Sequence, residues 1–312
     1  MNWKVAGMAG TAIVAVALTG VSATAGANKF TGNVSLSVGQ SFEDDSIPSL
    51  PFGISVFDDS YTSITGEAKL NVAFTSNINL QLDFTGVGSF VDDSFVSLDR
   101  DAGFQGAAHL YWRTEQYAAG IFAGAGVSSG PDLFILGSPN AEYYFAGAEG
   151  QYYWKNFTFG LKGGYLDSSS DNGGLLGLLG AGDDLYLNSA WFAEAEVRWY
   201  ASQKFALSAN VGYISGDAAF NFLDVDTWHW GAKAEYWPEE KEPLSLWIAY
   251  EGRTTNFDLP TNPFVSDIDK DVHTVKIGLT FHFGVDDNNA QANDRNGPAW
   301  NSTDYGAIVV GG

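Results

Sequence analysis

The chain has few residues that could take part in covalent chemistry. It contains no cysteine, which excludes disulfides, thiol catalysis and thiolate metal sites. A nucleophile needs a base within hydrogen-bond reach, and the candidate bases are four histidines: His109, His229, His273 and His282. Asp226 and Asp271 lie close in sequence to His229 and His273, but no nucleophile motif accompanies either pair. The sequence therefore predicts that the protein is not an enzyme.

Metal and nucleotide sites are also weakly supported. The run SDIDKDVH places Asp267, Asp269 and Asp271 at alternate positions, as calcium loops do. It lacks the central glycine and the closing glutamate of such loops, so a solvated acidic loop is the better interpretation. Neither a phosphate-binding glycine motif in a strand-to-helix setting nor a basic patch is present. We expect no cofactor, no bound metal and no nucleic-acid partner.

The remaining candidate residues are charged side chains that recur at alternate positions of short segments. Their carboxylates and bases nearly balance, although the whole chain carries a net charge of −22. Placed on one face, they would line a wet interior and are predicted to be pore-lining: Glu67, Lys69, Asp83, His109, Arg113, Glu149, Lys162, Glu194, Glu196, Arg198, Lys204, Lys233, Glu235, Glu251, Arg253 and Lys276.

The segments that carry these residues alternate between apolar and polar side chains, as strands do when their two faces meet different surroundings. From Ile64 to Phe74 the apolar positions alternate with Thr65, Glu67, Lys69 and Asn71. We identify twelve such strands, near 29–41, 62–75, 77–88, 103–114, 116–127, 142–154, 157–166, 187–200, 204–215, 227–237, 244–254 and 272–283. This pattern predicts an all-β fold, a closed antiparallel β-barrel that spans a membrane.

The connections between these strands are alternately short and long. Short ones fall at 75–77, 114–115, 155–156, 201–203 and 238–243, and long ones at 42–61, 89–102, 128–141, 167–186, 216–226 and 255–271. Bacterial barrels place short turns in the periplasm and long loops outside, so both termini are expected in the periplasm. Aromatic residues gather at strand ends, including Trp112, Tyr117, Tyr236 and Trp237 beside short turns, which predicts two interfacial girdles.

Register can also be predicted, because turn length and face assignment together fix which residues lie opposite each other. A turn centred on Ser76 places Lys69 opposite Asp83, and a turn at 155–156 places Glu149 opposite Lys162. We expect both oppositely charged pairs inside the barrel.

The ends of the chain differ from its body. Residues 1–27 combine Lys4, an apolar stretch and the small-residue run SATAGA, which predicts a removable signal peptide cleaved after Ala25 or Ala27. Residues 28–283 form the predicted barrel. Residues 284–302 are polar, and they predict a flexible periplasmic tail over 284–312, with YGAIVV at its end able to add to a strand edge or bind a periplasmic partner.

The last strand, HTVKIGLTFHF, has aromatic residues at alternate positions and ends on Phe283. It resembles the terminal strand of Gram-negative outer-membrane β-barrels of the porin-like type. That resemblance implies an outer-membrane location and assembly by the outer-membrane insertion machinery, and it supplies no substrate. The sequence departs from the class in continuing beyond the aromatic residue to Gly312.

The long connections are strongly acidic, with Arg100 and Lys270 their only basic residues. An acidic mouth above a nearly balanced lumen predicts a passive channel for small hydrophilic solutes that prefers cations. Alternatives are a closed structural or adhesive barrel, whose acidic loops bind divalent ions shared with lipopolysaccharide, and a hydrolase at the rim. Each of two apolar runs, at 132–136 and 173–182, could fold inward as a constriction, offer an apolar entry for an apolar solute, or pack on its neighbours as a small loop cluster. Solute identity, oligomeric state and pore opening stay undetermined.

Overall fold

The computed structural model describes residues 29–45, 60–90, 102–129, 140–171, 187–218, 223–238, 242–258, 268–285 and 289–310. The predicted signal peptide, the apolar runs 132–136 and 173–182 and most of the acidic connections lie outside these ranges. No helix within the described ranges has the length and apolar character of a membrane span.

Twelve antiparallel strands form one closed barrel, as the sequence predicts. Each strand pairs with its neighbours in the chain, and the last closes on the first, so that Phe283 lies opposite Gly32. Closure pairs the backbone groups along every ladder and leaves no strand edge. The strands are β1 Lys29–Asp45, β2 Ser60–Ala73, β3 Ile78–Phe90, β4 Ala102–Arg113, β5 Tyr117–Ser129, β6 Asn140–Trp154, β7 Phe157–Asp171, β8 Ser189–Ser202, β9 Phe205–Ala218, β10 Leu223–Tyr236, β11 Leu244–Asp258 and β12 Ile268–Phe283.

The strands extend further toward the long connections than their alternation indicates. Pairing of β9 with β10 continues to Asp217 opposite Asp224, so the connection occupies only 219–222 and the predicted long loop at 216–226 is wrong. Glu43 was also assigned to a loop, but it lies on β1, where its buried side chain pairs with Lys270 at 3.1 Å. The ladder continues past the apolar band because backbone hydrogen bonding does not depend on side-chain polarity.

The outer face of the barrel is apolar over a broad band. Ile121, Leu161 and Ile277 are each more than 60% exposed, as side chains that contact lipid would be. Aromatic clusters lie at both ends of this band. Trp112 and Tyr117 are 5.1 Å apart at the end with short turns, and Tyr213 and Trp228 are 4.8 Å apart at the other end.

One residue assigned to these girdles faces the other way. Trp237 is buried inside the barrel, with its ring 5.5 Å from that of His282.

Both predicted charge pairs have the expected register. Lys69 lies opposite Asp83 in the β2–β3 ladder, and Glu149 lies opposite Lys162 in the β6–β7 ladder. All four residues are on the inner face. The turns that set this register are tight. Thr75 Oγ1 accepts the backbone N–H of Ile78 at 2.9 Å, and Lys155 has a φ of 51°, in the left-handed region.

The segment after β12 enters the barrel. It contains two short helices, α1 Ala290–Asn296 and α2 Tyr305–Val309, capped by the side chains of Asn289 and Asp304. Residues 289–310, called here the C-terminal segment, are largely buried in the lumen. The expectation of a flexible periplasmic tail does not fit this arrangement, because the barrel wall supplies the partners that the segment cannot supply to itself.

Candidate functional site

The inner face of the barrel is divided into two sides. On β5 it carries Ala118, Gly120, Phe122, Gly124, Gly126 and Ser128, with no charged side chain. A Cβ added at Gly124 would lie 2.3 Å from the Phe145 ring and 2.6 Å from the Gly106 carbonyl oxygen. The small residues of β5 and its neighbours thus leave room for large rings and for the C-terminal segment. We call this the packed side.

An apolar anchor holds the end of the C-terminal segment to the packed side. Tyr305 lies between two aromatic rings, with centroid distances of 4.5 Å to Phe145 and 4.9 Å to Phe192. Ile308 and Val309 are buried in the same cluster, which also contains the following side chains from six strands and the chain before β8: Phe122, Ala141, Tyr143, Leu166, Leu187, Ala190, Ile214 and Val225. The backbone N–H of Leu187 donates to the Val309 carbonyl at 3.3 Å. This anchor is near the end of the barrel with the long connections.

A row of polar side chains holds the middle of the segment, where its backbone forms no regular structure. Gln81 accepts from the Ala299 N–H at 2.8 Å and donates to the Trp300 carbonyl at 3.1 Å. Arg113 Nη2 donates to the Gly297 carbonyl at 2.8 Å, and Gln151 Nε2 to that of Ala299 at 2.7 Å. Buried backbone groups need such partners. The row therefore replaces the ladder that a strand would provide.

Charged contacts complete the attachment. Asp294 on α1 is buried, forms an ion pair with Arg198 and accepts hydrogen bonds from the hydroxyl groups of Tyr200 and Thr158. Further along the C-terminal segment, Ser302 donates to Asp83 at 2.7 Å. Three more contacts join the segment to the wall: Thr303 Oγ1 to Glu194 at 2.7 Å, Lys162 Nζ to Thr303 Oγ1 at 2.6 Å and Asn301 Nδ2 to Glu196 at 2.8 Å.

A buried cluster on the barrel wall includes Asp83, the residue that accepts the hydrogen bond from Ser302. His109 Nδ1 lies 3.0 Å from Glu149, and His109 Nε2 lies 3.5 Å from Asp83. The imidazole also stacks on Phe122, with centroids 5.5 Å apart. No group of three potential ligands in the described residues has the geometry of a metal site.

All the predicted pore-lining residues lie on the inner face, or in Lys204's case in the turn before β9, but they do not share one space. Asp83, Arg113 and Lys162 bind the C-terminal segment, and His109 and Glu149 lie behind it. Lys204 is at the end with short turns, where its Nζ donates to the Pro238 carbonyl at 3.4 Å. The others border an open cavity: Glu67, Lys69, Glu194, Glu196, Arg198, Lys233, Glu235, Glu251, Arg253 and Lys276.

This cavity has a volume of about 360 Å³ and lies along β8 to β12, β1, β2 and the upper part of β3 from Thr85 to Ser89, which together we call the open side. The C-terminal segment forms its opposite wall through Asp294, Asn301, Ser302, Thr303, Asp304, Ala307 and Ile308. Seven acidic residues and five Lys or Arg residues border it. The acidic excess comes from the segment, which contributes Asp294 and Asp304. Several of these charges pair directly, as in Lys276 with Glu251 at 2.6 Å and Arg198 with Glu196 at 2.7 Å.

Two histidines considered for catalysis lie on opposite faces of the barrel. His229 faces the lumen, with its Nε2 3.7 Å from Glu194. His273 lies in the outer aromatic girdle, where its Nδ1 is 2.8 Å from the Tyr250 hydroxyl. They cannot act on one nucleophile.

A serine also lies beside a histidine, which sequence reasoning did not anticipate. Ser245 Oγ is 2.9 Å from His282 Nε2, and it donates to Glu235 at 2.6 Å. Ser245 is fully buried, and the carboxylate contacts the serine rather than orienting the imidazole through its other nitrogen. Within the described residues this cluster therefore lacks the arrangement of a catalytic triad.

A closed barrel with an apolar outer band, two aromatic girdles and a charged interior defines the outer-membrane β-barrel fold. The chain is similar to the COG4313 outer membrane channel from Pseudomonas putida F1, with a TM-score of 0.51 and 14% identity over 83% of this chain and 97% of that one. It is less similar to the NanC porin, with a TM-score of 0.43 and 10% identity over 79% of this chain and 98% of that one. No protein-family model and no curated protein matches the sequence.

Proposed function

We propose that the protein is a passive channel for small hydrophilic solutes in the outer membrane of a Gram-negative bacterium, without catalytic activity. The observation that carries this proposal is the charged cavity that remains along the open side of the lumen after the C-terminal segment has filled the packed side. A wet, charged interior within an apolar shell suits the passage of polar solutes. In this orientation the long connections face outward, near lipopolysaccharide, and the short turns face the periplasm.

The channel is further proposed to prefer cations. Acidic residues outnumber basic ones around the cavity, and the long connections are strongly acidic in sequence. Fixed negative charge raises the local concentration of cations and lowers that of anions. The test is the reversal potential of the purified protein in a planar bilayer across a KCl gradient. We expect cation selectivity at low salt that weakens at higher salt, because exposed charges are screened over about 10 Å at 0.1 M.

A conducting but anion-selective protein would contradict the cation preference and leave the channel intact. A correctly inserted protein without conductance would contradict the channel itself. That outcome would favour the second candidate, a closed barrel whose loops are its working surface. The filling of the packed side by the C-terminal segment is the observation in favour of this candidate.

A further inference from the structure

The C-terminal segment is both a filling of the lumen and a wall of the open cavity. Its attachment uses three independent kinds of contact: the apolar anchor around Tyr305, the polar row from Gln81 to Gln151, and the ion pair of Asp294 with Arg198. The segment and the strands therefore border the open side together.

We infer that the C-terminal segment determines the size limit and the charge preference of the channel. It does so because it is attached to the barrel wall and fills only one side of the lumen. The inference rests on the proposed channel function and adds the identity of the element that gives the channel its specificity. The residue of the segment assigned to charge preference is Asp304, which borders the cavity.

The size argument follows from the dimensions of the barrel. Twelve strands lie between the eight that side chains alone can fill and the sixteen that leave a clear channel. The inner face of β5 has only small side chains and one phenylalanine, so it fills little of the lumen without the segment. Removing the segment would join the space it occupies to the open cavity.

The charge argument rests on where the segment places its acids. Asp294 and Asp304 both border the cavity, Asp294 as the ion-pair partner of Arg198 and Asp304 as the cap of α2, where it accepts the Ala307 N–H at 3.3 Å. An asparagine at this position keeps a cap acceptor and removes the charge. Asp304→Asn therefore alters the charge of the cavity wall without removing the cap of α2.

The first experiment compares the full chain with a variant lacking 286–312 in planar bilayers and in liposome swelling with sugars of increasing size. Heat-modifiable migration on gels establishes that each barrel is folded. We expect truncation to raise the single-channel conductance at least about twofold and to admit larger sugars, since more of the lumen is open. A synthetic 286–312 peptide should lower the conductance again, and a scrambled peptide should not.

Equal conductance and equal sugar limits for the two folded proteins would overturn the inference and leave the channel function standing. Absence of conductance in both would instead defeat the proposed function. These two failures are therefore distinguishable.

Full-length variants keep the inference testable if the truncated barrel does not fold. Ala307→Trp adds a large ring to the segment where it borders the cavity, and the control Ala119→Trp adds the same ring to the outer face of β5. We expect the conductance to fall by about half or more for Ala307→Trp only, through narrowing of the path. Unchanged conductance in folded Ala307→Trp would overturn the size assignment.

Asp304→Asn is compared with Glu115→Gln, which removes a carboxylate from the exposed β4–β5 turn. The cation-to-anion permeability ratio should fall for Asp304→Asn and stay constant for the control. An equal ratio in both variants would overturn the charge assignment.

Discussion

Asp294 joins the C-terminal segment to the barrel through a single buried carboxylate. Its partners are Arg198, Tyr200 and Thr158, all on the inner wall near the end with short turns. A charge buried in this way stabilises a structure only while its partners are present, because both ions have lost their water. The carboxylate is therefore a buried, charged contact of α1, beside the hydrogen bonds that Arg295 Nη2 donates to the Lys155 and Phe157 carbonyls at 2.8 Å.

Asp294→Ala should loosen the segment while leaving the barrel closed. Removing one partner of a buried pair costs roughly 3–5 kcal/mol, and the remaining pairing of Arg198 with Glu196 places the expected cost near the lower end. Trypsin can report this loosening, because Arg295 is the only basic residue after Phe283. We expect faster cleavage after Arg295 in the variant at unchanged heat-modifiable migration.

Gln291→Ala is the matched control for this prediction. Gln291 is on the same helix, and its side chain donates only to the Lys155 carbonyl, at 2.7 Å, in an exposed contact. Cleavage at the wild-type rate in Asp294→Ala would show that the ion pair does not hold the segment.

Whether each charged side chain lies on the inner or the outer face of the barrel could be predicted from the sequence, because side chains alternate between the two faces along a strand. Lys69, Asp83, Glu149 and Lys162 follow this rule, and so does the separation of His229 from His273. What alternation could not show is the partner each inward residue meets. Lys69 lies opposite Asp83 as predicted, and its Nζ also donates to the Trp300 carbonyl at 3.2 Å, from a segment far along the chain.

At the scale of elements, β5 has a small, uncharged inner face, a feature that it shares with β9. Its glycines are needed for space rather than for turn geometry, as the distances at Gly124 show. A run of small residues on a face that is elsewhere charged indicates that something packs there. This was the sequence signal that could have revealed the position of the C-terminal segment.

Gly124→Val should destabilise the barrel, because its side chain would overlap the Phe145 ring and approach the Gly106 carbonyl. Overpacking of this kind costs about 1–3 kcal/mol. The urea midpoint for unfolding in detergent, compared with wild type, measures the effect. Ala125→Val, one residue along on the exposed outer face, is the control and should unfold at the wild-type midpoint. Equal midpoints for both variants would show that the inner face of β5 is not tightly packed.

The number, direction and pairing of the strands could be predicted, whereas the fate of the C-terminal segment could not. Its polar composition predicts disorder, because a segment with little apolar surface of its own to bury does not order itself. Here residues such as Gln81 and Arg113 satisfy its backbone from the wall. The sequence predicts that the terminal YGAIVV could add to a strand edge or bind a periplasmic partner. A closed barrel has no free edge, and residues 305–309 form α2 against aromatic rings inside the barrel.

At the scale of the whole molecule, the first and last strands of the barrel start and stop at the same end of the barrel, but the last described residue lies near the opposite end. Lys29 and Phe283 are at the end with short turns, whereas Val310 lies in the apolar anchor near the opposite end. The periplasmic location of both termini stays a prediction, and the position of Val310 bears on it only through the proposed orientation. In the proposed orientation the last described residues lie toward the cell exterior.

An epitope tag after Gly312 should consequently bind antibody on intact cells. The control is the same tag in the short connection between Pro238 and Glu242, which should bind only after the outer membrane is permeabilised. Labelling of the control on intact cells would mean that the orientation is reversed. Labelling of neither tag before permeabilisation would mean that the end of the chain does not reach the outer mouth.

The closure of β12 on β1 has a consequence for the path of the chain. Their hydrogen bonds complete a ring, and the described residues 289–310, which come after β12 in the chain, lie inside that ring. The chain therefore passes through a ring formed by its own strands, and this ring is closed by hydrogen bonds rather than by a covalent bond. Either the ring closes around an end that is already inside, or the free end must slide in after closure. A bulky domain joined to that end would obstruct both routes, so the threading limits what the chain can carry at its C-terminus and still finish folding.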